Sequence, residues 1–254
     1  MNQIKSFSFF LSFLILSSFL FPKEKTITYK SQDGLLITAN LYLTHKANAP
    51  FIILFHQAGW SRGEYLETAP RLNKLGYNCL AVDLRSGGEV NGVVNQTHKH
   101  AVEQKKGTNY TDAIQDIEAS IKYVKKNYAK GKLIIWGSSY SSALVLVVGS
   151  RHLKDVDGIL SFSPGEYFEK SGKSKTYIID NAKNITQPVF ITSAKREYKY
   201  WKNIFDAIPS KEKVSFIPKS AGNHGSRVLW SKFNYSKEYW TAVKSFLNKY
   251  FSSK

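Results

Sequence analysis

Four serines occupy five consecutive positions between two apolar runs, within LIIWGSSYSSALVLVVG at residues 133–149. The run LIIW predicts a strand and SALVLVV predicts a helix, so GSSYS is expected to form the turn between them. A strand-to-helix turn of the pattern Gly-x-Ser-x-Gly exposes its central serine, here Ser139, as a nucleophile. Because the turn is sharp, the residues two before and two after must be small, as Gly137 and Ser141 are. The alternative is a serine-rich helix cap without chemistry.

A serine nucleophile needs a base, and the base needs an acid that orients it. In chains with this turn both partners come later in the sequence, the acid before the histidine. Glu197 lies just past the strand-like run PVFITS, and His224 lies in the loop after the strand-like run KVSFIP. We therefore predict Ser139 as nucleophile, Glu197 as acid and His224 as base; a surface carboxylate and a loop histidine are the alternatives. Two further acids are weaker candidates, because neither directly follows a predicted strand: Asp180 and Asp206.

Attack on a carbonyl group creates an oxyanion, which backbone N–H groups must stabilise. One donor is expected from Tyr140, the residue after the nucleophile, at a helix N-terminus that favours negative charge. The second is expected from the loop after the strand-like run FIILF, where HQAG supplies Ala58. His56 stands in the same loop, but it precedes the nucleophile by a whole βαβ unit. We therefore predict that His56 shapes the loop and is not the base.

The elements that must position these residues alternate along the chain. TITYK and LLITANLYL flank SQDG, and Asp-Gly between β-rich runs predicts an antiparallel hairpin. After it, short apolar runs alternate with helical patterns such as EYLETAPRLNKLGY and YTDAIQDIEASIKYVKKNY. Continuous apolar strands separated by helices indicate a mostly parallel sheet with helices on both faces. Residues 23–254 are therefore expected to form a single α/β domain, with ligands bound at the carboxyl ends of the strands.

Together these motifs resemble those of the α/β-hydrolases, nearest to the dienelactone-hydrolase-like and serine-aminopeptidase-like branches. The resemblance covers about residues 26–252 and rests on HQAG, GSSYS, PVFITSAKRE and GNHG. It implies the α/β-hydrolase fold: a mostly parallel central sheet, helices on both faces and an N-terminal antiparallel hairpin. It also implies a catalytic triad of Ser139, His224 and Glu197. The oxyanion hole would be formed by the N–H groups of Ala58 and Tyr140.

Three positions depart from the family pattern. Gln57 replaces a glycine in the oxyanion loop, and Ser141 replaces the second glycine of the nucleophile turn. Glu197 replaces the commoner aspartate, which is an accepted variant in this fold.

The resemblance implies hydrolysis of a small ester through an acyl-enzyme, without a cofactor or a metal. A secreted peptidase of the same fold and a non-catalytic binding protein that retains the fold are the alternatives. The segment SPGEYFEKSGKSKTYIIDNAKNITQ is the only long candidate for a lid, so a short lid or none is expected. The HKH motif at residues 98–100 could hold a metal, but it falls in a predicted polar loop without matching ligands.

The composition adds limits on partners. The chain has 36 Lys and Arg against 19 Asp and Glu, a net charge of +17, with the lysines spread along its length. No nucleic-acid-binding motif accompanies this charge, so we expect no nucleic acid partner and at most a weak association with anionic surfaces. Cys79 is the single cysteine, which excludes an intrachain disulfide.

The N-terminus MNQIKSFSFFLSFLILSSFLFPKEK has the order of a secretory signal: a lysine, an apolar run over residues 7–21, then polar residues. We therefore expect residues 1–22 to be a signal peptide and the protein to be secreted or periplasmic. Phe and Leu crowd the expected cleavage site, so an uncleaved segment that anchors the protein to the membrane is the alternative.

Overall fold

The computed structural model describes residues 24–252. The predicted signal peptide or anchor at residues 1–22 lies outside this range. Within it, no helix combines the length and the apolar character needed to cross a bilayer.

The centre of the fold is an eight-stranded sheet. The described residues form ten strands in all, eight in this sheet and two in a separate hairpin. They are β1 (Lys25–Lys30), β2 (Leu36–Tyr42), β3 (Phe51–Phe55), β4 (Asn78–Val82), β5 (Glu89–Val90), β6 (Val93–Val94), β7 (Leu133–Ser138), β8 (Gly158–Phe162), β9 (Val189–Thr192) and β10 (Lys213–Phe216). Their order in the sheet is β1-β2-β4-β3-β7-β8-β9-β10, and β5 and β6 form a separate small hairpin. The pairs β1–β2 and β2–β4 are antiparallel, and every other pair in the large sheet is parallel.

Helices cover both faces of this sheet. They are α1 (Thr68–Asn73), α2 (Gln96–Glu103), α3 (Ile114–Asn127), α4 (Tyr140–Arg151), α5 (Tyr177–Ala182), α6 (Tyr198–Ala207) and α7 (Ser236–Phe251). Side chains alternate across a strand, so β3 serves both layers. Phe51, Ile53 and Phe55 pack in the cluster that contains α3 to α6, whereas Ile52 and Leu54 pack in the cluster that contains α1 and α7. The predicted α/β-hydrolase fold, with its N-terminal hairpin, is confirmed.

The predicted helix in EYLETAPRLNKLGY is shorter than its pattern. Residues 62–65 form a 3-10 turn, and α1 covers only Thr68–Asn73. The helix ends there because Gly76 takes a φ of 99°, a left-handed conformation that suits glycine.

The HKH motif lies on α2 and not in a loop, which corrects the prediction from the sequence. This helix contains few apolar residues, so its sequence pattern does not predict a helix. His98 Nδ1 lies 2.7 Å from the Arg85 carbonyl oxygen, and His100 Nδ1 lies 3.1 Å from that of Leu36. Both imidazoles therefore bind backbone that borders the strands.

Arg85, in the loop that follows β4, forms ion pairs with two other segments of the chain. Its side chain is 1% exposed and pairs with Asp116 of α3, which is fully buried, at 2.7 Å. It also pairs with Asp33, in the turn between β1 and β2, at 2.9 Å. Loss of one partner from a buried ion pair leaves an uncompensated charge in a medium of low polarity.

We expect Asp116→Ala to lower the free energy of unfolding by about 3 kcal/mol, because it leaves the Arg85 guanidinium buried with only Asp33. Urea denaturation at neutral pH measures the change. Asp155→Ala is the matched control, since Asp155 pairs with Lys125 at an exposed position and its loss is expected to cost less than about 1 kcal/mol. Equal losses in the two variants would contradict the argument.

Candidate active site

The turn between β7 and α4 holds Ser139 in a strained backbone conformation, with φ 58° and ψ −122°. A serine at positive φ costs on the order of 1–3 kcal/mol, so surrounding contacts must hold it there. The Ser139 N–H donates to the Phe162 carbonyl of β8 at 2.8 Å, and the Ser139 carbonyl accepts from the Ser142 N–H at 2.9 Å. The turn therefore fixes the position of the Ser139 side chain.

The small residues around this turn are needed for packing. A Cβ on Gly137 would lie 2.3 Å from the Ser141 carbonyl oxygen, so no side chain fits there. Ser141 fits in place of the second glycine because its hydroxyl is bonded on two sides. It accepts from the Ser138 N–H at 2.8 Å and lies 2.8 Å from the Phe55 carbonyl at the end of β3.

Ser139, His224 and Glu197 form a continuous hydrogen-bonded chain. His224 Nε2 lies 2.7 Å from Ser139 Oγ, and His224 Nδ1 lies 2.9 Å from Glu197 Oε1. With the Nδ1 proton donated to the carboxylate, Nε2 is left to accept the serine proton. The His224 side chain is 34% exposed and that of Glu197 13%, so the imidazole is open to solvent while the carboxylate is mostly covered.

The environment of Glu197 favours its ionised form. Burial alone tends to raise its pKa, but hydrogen bonds from His224 and Ser163 and the charge of His224 hold the pKa below its usual value. Glu197 is therefore a carboxylate at neutral pH and can orient the imidazole. The two weaker acid candidates bind lysines at the surface instead: Asp180 with Lys183, and Asp206 with Lys202.

Ser163, which directly follows β8, is a site residue that the sequence motifs did not indicate. Its hydroxyl donates to Glu197 Oε2 at 2.8 Å and accepts from the Gly225 N–H at 2.9 Å. Its φ of 61° is in the left-handed region, and its carbonyl accepts from the Tyr167 hydroxyl at 2.6 Å. Ser163 therefore joins the acid to the loop that carries the histidine. Its position after a strand is the one signal that could have found it.

The two predicted oxyanion donors are unpaired. The backbone N–H groups of Ala58 and Tyr140 have no hydrogen-bond acceptor within residues 24–252. His56 is fully buried; its Nε2 accepts from the Leu84 N–H at 2.9 Å and its Nδ1 donates to the Gln57 carbonyl at 2.8 Å. His56 thus binds the backbone of the loop after β3 and that of the loop after β4.

A cleft of about 450 Å³ adjoins His224. Three cations line it, Lys195, Arg196 and Arg227, and no acidic residue does. Arg227 is fixed beside His224, since its Nε donates to the His224 carbonyl at 3.2 Å and its guanidinium lies over the Trp60 ring at 5.9 Å. A larger cavity, of about 880 Å³, lies along β1 and α3 and contacts none of the three hydrogen-bonded residues.

The fold is that of an α/β-hydrolase, and several solved structures share it. The esterase Pf2001 of Pyrococcus furiosus has a TM-score of 0.68 and 20% identity, over 91% of this chain and 93% of that one. Dienelactone hydrolase from Anabaena variabilis has a TM-score of 0.70 and 12% identity, over 91% of this chain and 100% of that one. Est1E from Butyrivibrio proteoclasticus, with ferulic acid bound, has a TM-score of 0.64 and 15% identity, over 89% of this chain and 100% of that one. At these identities the likeness shows the fold, and no curated protein sequence matches this chain significantly.

The chain belongs to the family described as serine aminopeptidase, S33, which matches residues 46–173. The matched stretch contains Ala58, Ser139 and Tyr140, whereas Glu197 and His224 follow it. Membership of the α/β-hydrolase superfamily, predicted from the motifs, is confirmed.

We expect Ser163→Ala to slow the reaction of Ser139 with a fluorophosphonate about 10-fold, because Glu197 loses a hydrogen bond to its charged form. The labelling rate at pH 7.5 measures the effect. Ser150→Ala is the control, since Ser150 Oγ donates only to the Val147 carbonyl, near the other end of α4. An unchanged rate in Ser163→Ala would show that Glu197 keeps its position without this hydroxyl.

Proposed function

We propose that this protein is a serine-dependent hydrolase of small esters, with Ser139 as nucleophile, His224 as base and Glu197 as acid. The observation that carries the proposal is the hydrogen-bonded chain of 2.7 and 2.9 Å through these three side chains. The strained conformation of Ser139 adds support, because strain of this kind persists at sites where it serves a mechanism.

The geometry supports acyl transfer to water in two halves. Ser139 Oγ bonds to the ester carbonyl carbon as its proton passes to His224 Nε2, and the carbonyl electron pair moves onto oxygen. The N–H groups of Ala58 and Tyr140 stabilise this oxyanion. Its collapse breaks the bond to the leaving oxygen, which takes the proton from His224. Water then attacks the acyl-enzyme with His224 as base, and the acid and free Ser139 are released.

Glu197 supports both halves without touching the substrate. Its carboxylate keeps the His224 proton on Nδ1 before each attack and stabilises the imidazolium that follows. The same carboxylate accepts from Ser163, so the acid cannot rotate away when the charge on the imidazole changes.

The charges beside His224 bear on the substrate class. The cleft at His224 carries Lys195, Arg196 and Arg227 and no acid. In the proposed mechanism His224 protonates the leaving group, and His224 lines this cleft. We therefore favour esters with a neutral or anionic leaving group over esters with a cationic one.

We expect a fluorophosphonate to label the chain lacking residues 1–22 on Ser139 and nowhere else, because Ser139 is the only serine within residues 24–252 that is bonded to a histidine. Peptide mass spectrometry locates the adduct. Ser139→Ala removes the acceptor, and His224→Ala is expected to slow labelling by at least about 1000-fold. Ser142→Ala is the matched control, since its hydroxyl bonds only to backbone. Folded protein without an adduct would leave a non-catalytic binding protein as the better account.

We expect aryl acetates to be hydrolysed in the order anionic, neutral, cationic leaving group, with steps of about 3- to 5-fold in kcat/KM, because the cleft is cationic and partly exposed. Suitable substrates are 4-acetoxyphenylacetate, its amide and 4-(2-aminoethyl)phenyl acetate, which differ in charge and not in the reacting ester. Arg227→Gln should compress the series, as should 1 M salt. Arg151→Gln, at the far end of α4, is the control. A cationic substrate that is preferred would contradict the assignment.

A further inference from the structure

Glu64 is a fully buried carboxyl group that the mechanism above does not use. It lies in the 3-10 turn Arg62–Tyr65, downstream of the oxyanion loop, and is 0% exposed. No lysine or arginine of the described chain forms an ion pair with it. Burial of a carboxylate without a cation is costly. A group of this kind therefore calls for an explanation in its contacts.

Those contacts reach all three loops of the candidate active site. Glu64 Oε2 accepts from the Gln57 N–H of the oxyanion loop at 2.8 Å. Glu64 Oε1 accepts from the hydroxyl of Ser138, the residue before the nucleophile, at 2.7 Å. The Ser138 hydroxyl in turn accepts from the Ser226 N–H, two residues after His224, at 2.8 Å. One carboxylate is thus bonded to the neighbours of Ala58 and Ser139 and, through Ser138, to the loop of His224.

The hydrogen-bond pattern favours the ionised form. The Gln57 N–H donates to Oε2, and the Ser138 hydroxyl donates to Oε1 while its oxygen accepts from the Ser226 N–H. Both carboxylate oxygens therefore accept, and a proton on Oε1 would turn the Ser138 hydroxyl from donor to acceptor. Protonation of Glu64 would weaken or reverse at least one of the two bonds.

We propose that the Glu64 carboxylate is a positioning residue, which holds the oxyanion loop, the nucleophile turn and the histidine loop in register and requires its negative charge to do so. This inference rests on the proposed hydrolase function, since it assigns Glu64 a part in the same site. A neutral side chain of the same size is expected to leave the fold intact and misplace the three loops.

The electrostatic surroundings make this role dependent on pH. Burial raises the pKa of Glu64 to about 7, although hydrogen bonds from Ser138 and Gln57 and the charge of His224 lower it. The titratable groups that face it are His224, Tyr65 and Tyr140, and it helps to raise the pKa of each tyrosine. His224 is the only one that can become a cation. A charged Glu64 therefore favours the imidazolium formed during the reaction.

The same shift separates activity from stability. The pKa of Glu64 is higher in the folded protein than its ordinary value of 4.5. The folded state therefore holds the proton more tightly, and the stability that this contributes is lost as the pH rises from 4.5 to about 7. A glutamine at this position would not titrate. Its stability relative to the wild type should therefore improve over this range, while its activity does not.

The test compares Glu64→Gln with the wild type and with Glu67→Gln, which changes an exposed carboxylate three residues away. For Glu64→Gln we expect kcat on 4-nitrophenyl acetate to fall about 10- to 100-fold, in line with a small misplacement of reacting groups, and KM to change less than about 3-fold. The slope of the acid side of the log(kcat/KM) profile should be smaller in Glu64→Gln than in the wild type, because the ionisation of Glu64 is lost. The Tm at pH 8 should not be lower than that of the wild type.

The outcomes separate the two proposals. If a fluorophosphonate labels Ser139 in the wild type but Glu64→Gln keeps the wild-type kcat and slope, the positioning role is overturned and the hydrolase function stands. A parallel fall of kcat, affinity and Tm would also overturn it, since that pattern describes a structural residue only. If wild-type Ser139 is not labelled, the hydrolase function fails and the role of Glu64 fails with it.

Discussion

The close approach of Gly137 to the first turn of α4 determines the geometry of the whole centre. Strand and helix can come so near only without a side chain, since a Cβ there would lie 2.3 Å from the Ser141 carbonyl. This approach turns the chain through a positive φ at Ser139 and brings its hydroxyl to 2.7 Å from His224. The loops after β3, β9 and β10 lie around this hydroxyl, at the carboxyl ends of the strands.

Two glutamates lie near the same histidine, and their surroundings differ. Glu197 accepts from His224 and Ser163 and is held below its ordinary pKa, whereas the burial of Glu64 raises its pKa to about 7. A pair of carboxyl groups whose environments separate their pKa values is typical of a site that divides tasks between them. In the proposed mechanism the first orients the imidazole, and the second positions the backbone that receives the oxyanion.

The sequence predicted the parts of this site that follow simple patterns. Apolar runs located the strands of the large sheet, and the spacing around Ser139 together with the order of acid and histidine brought forward Glu197 and His224. The structure places these three within hydrogen-bonding distance, and their catalytic roles stay predictions. Ser163 and Glu64 were not predicted, because no local sequence pattern indicates a contact over a long separation. Ser163 bonds to Glu197, 34 residues away, and Glu64 bonds to Ser138, 74 residues away. The helix α2 escaped because it is polar on most of its surface.

Ser139 and Ser163 follow adjacent strands, β7 and β8, and both have positive φ values. Glycine adopts this conformation freely, so either position would be more comfortable as glycine for the backbone alone. A laboratory selection for heat resistance would therefore drift toward glycine at both positions and discard the hydroxyls that form the site. Serine at two such neighbouring positions lowers the stability of the fold, a cost that the proposed reaction would account for.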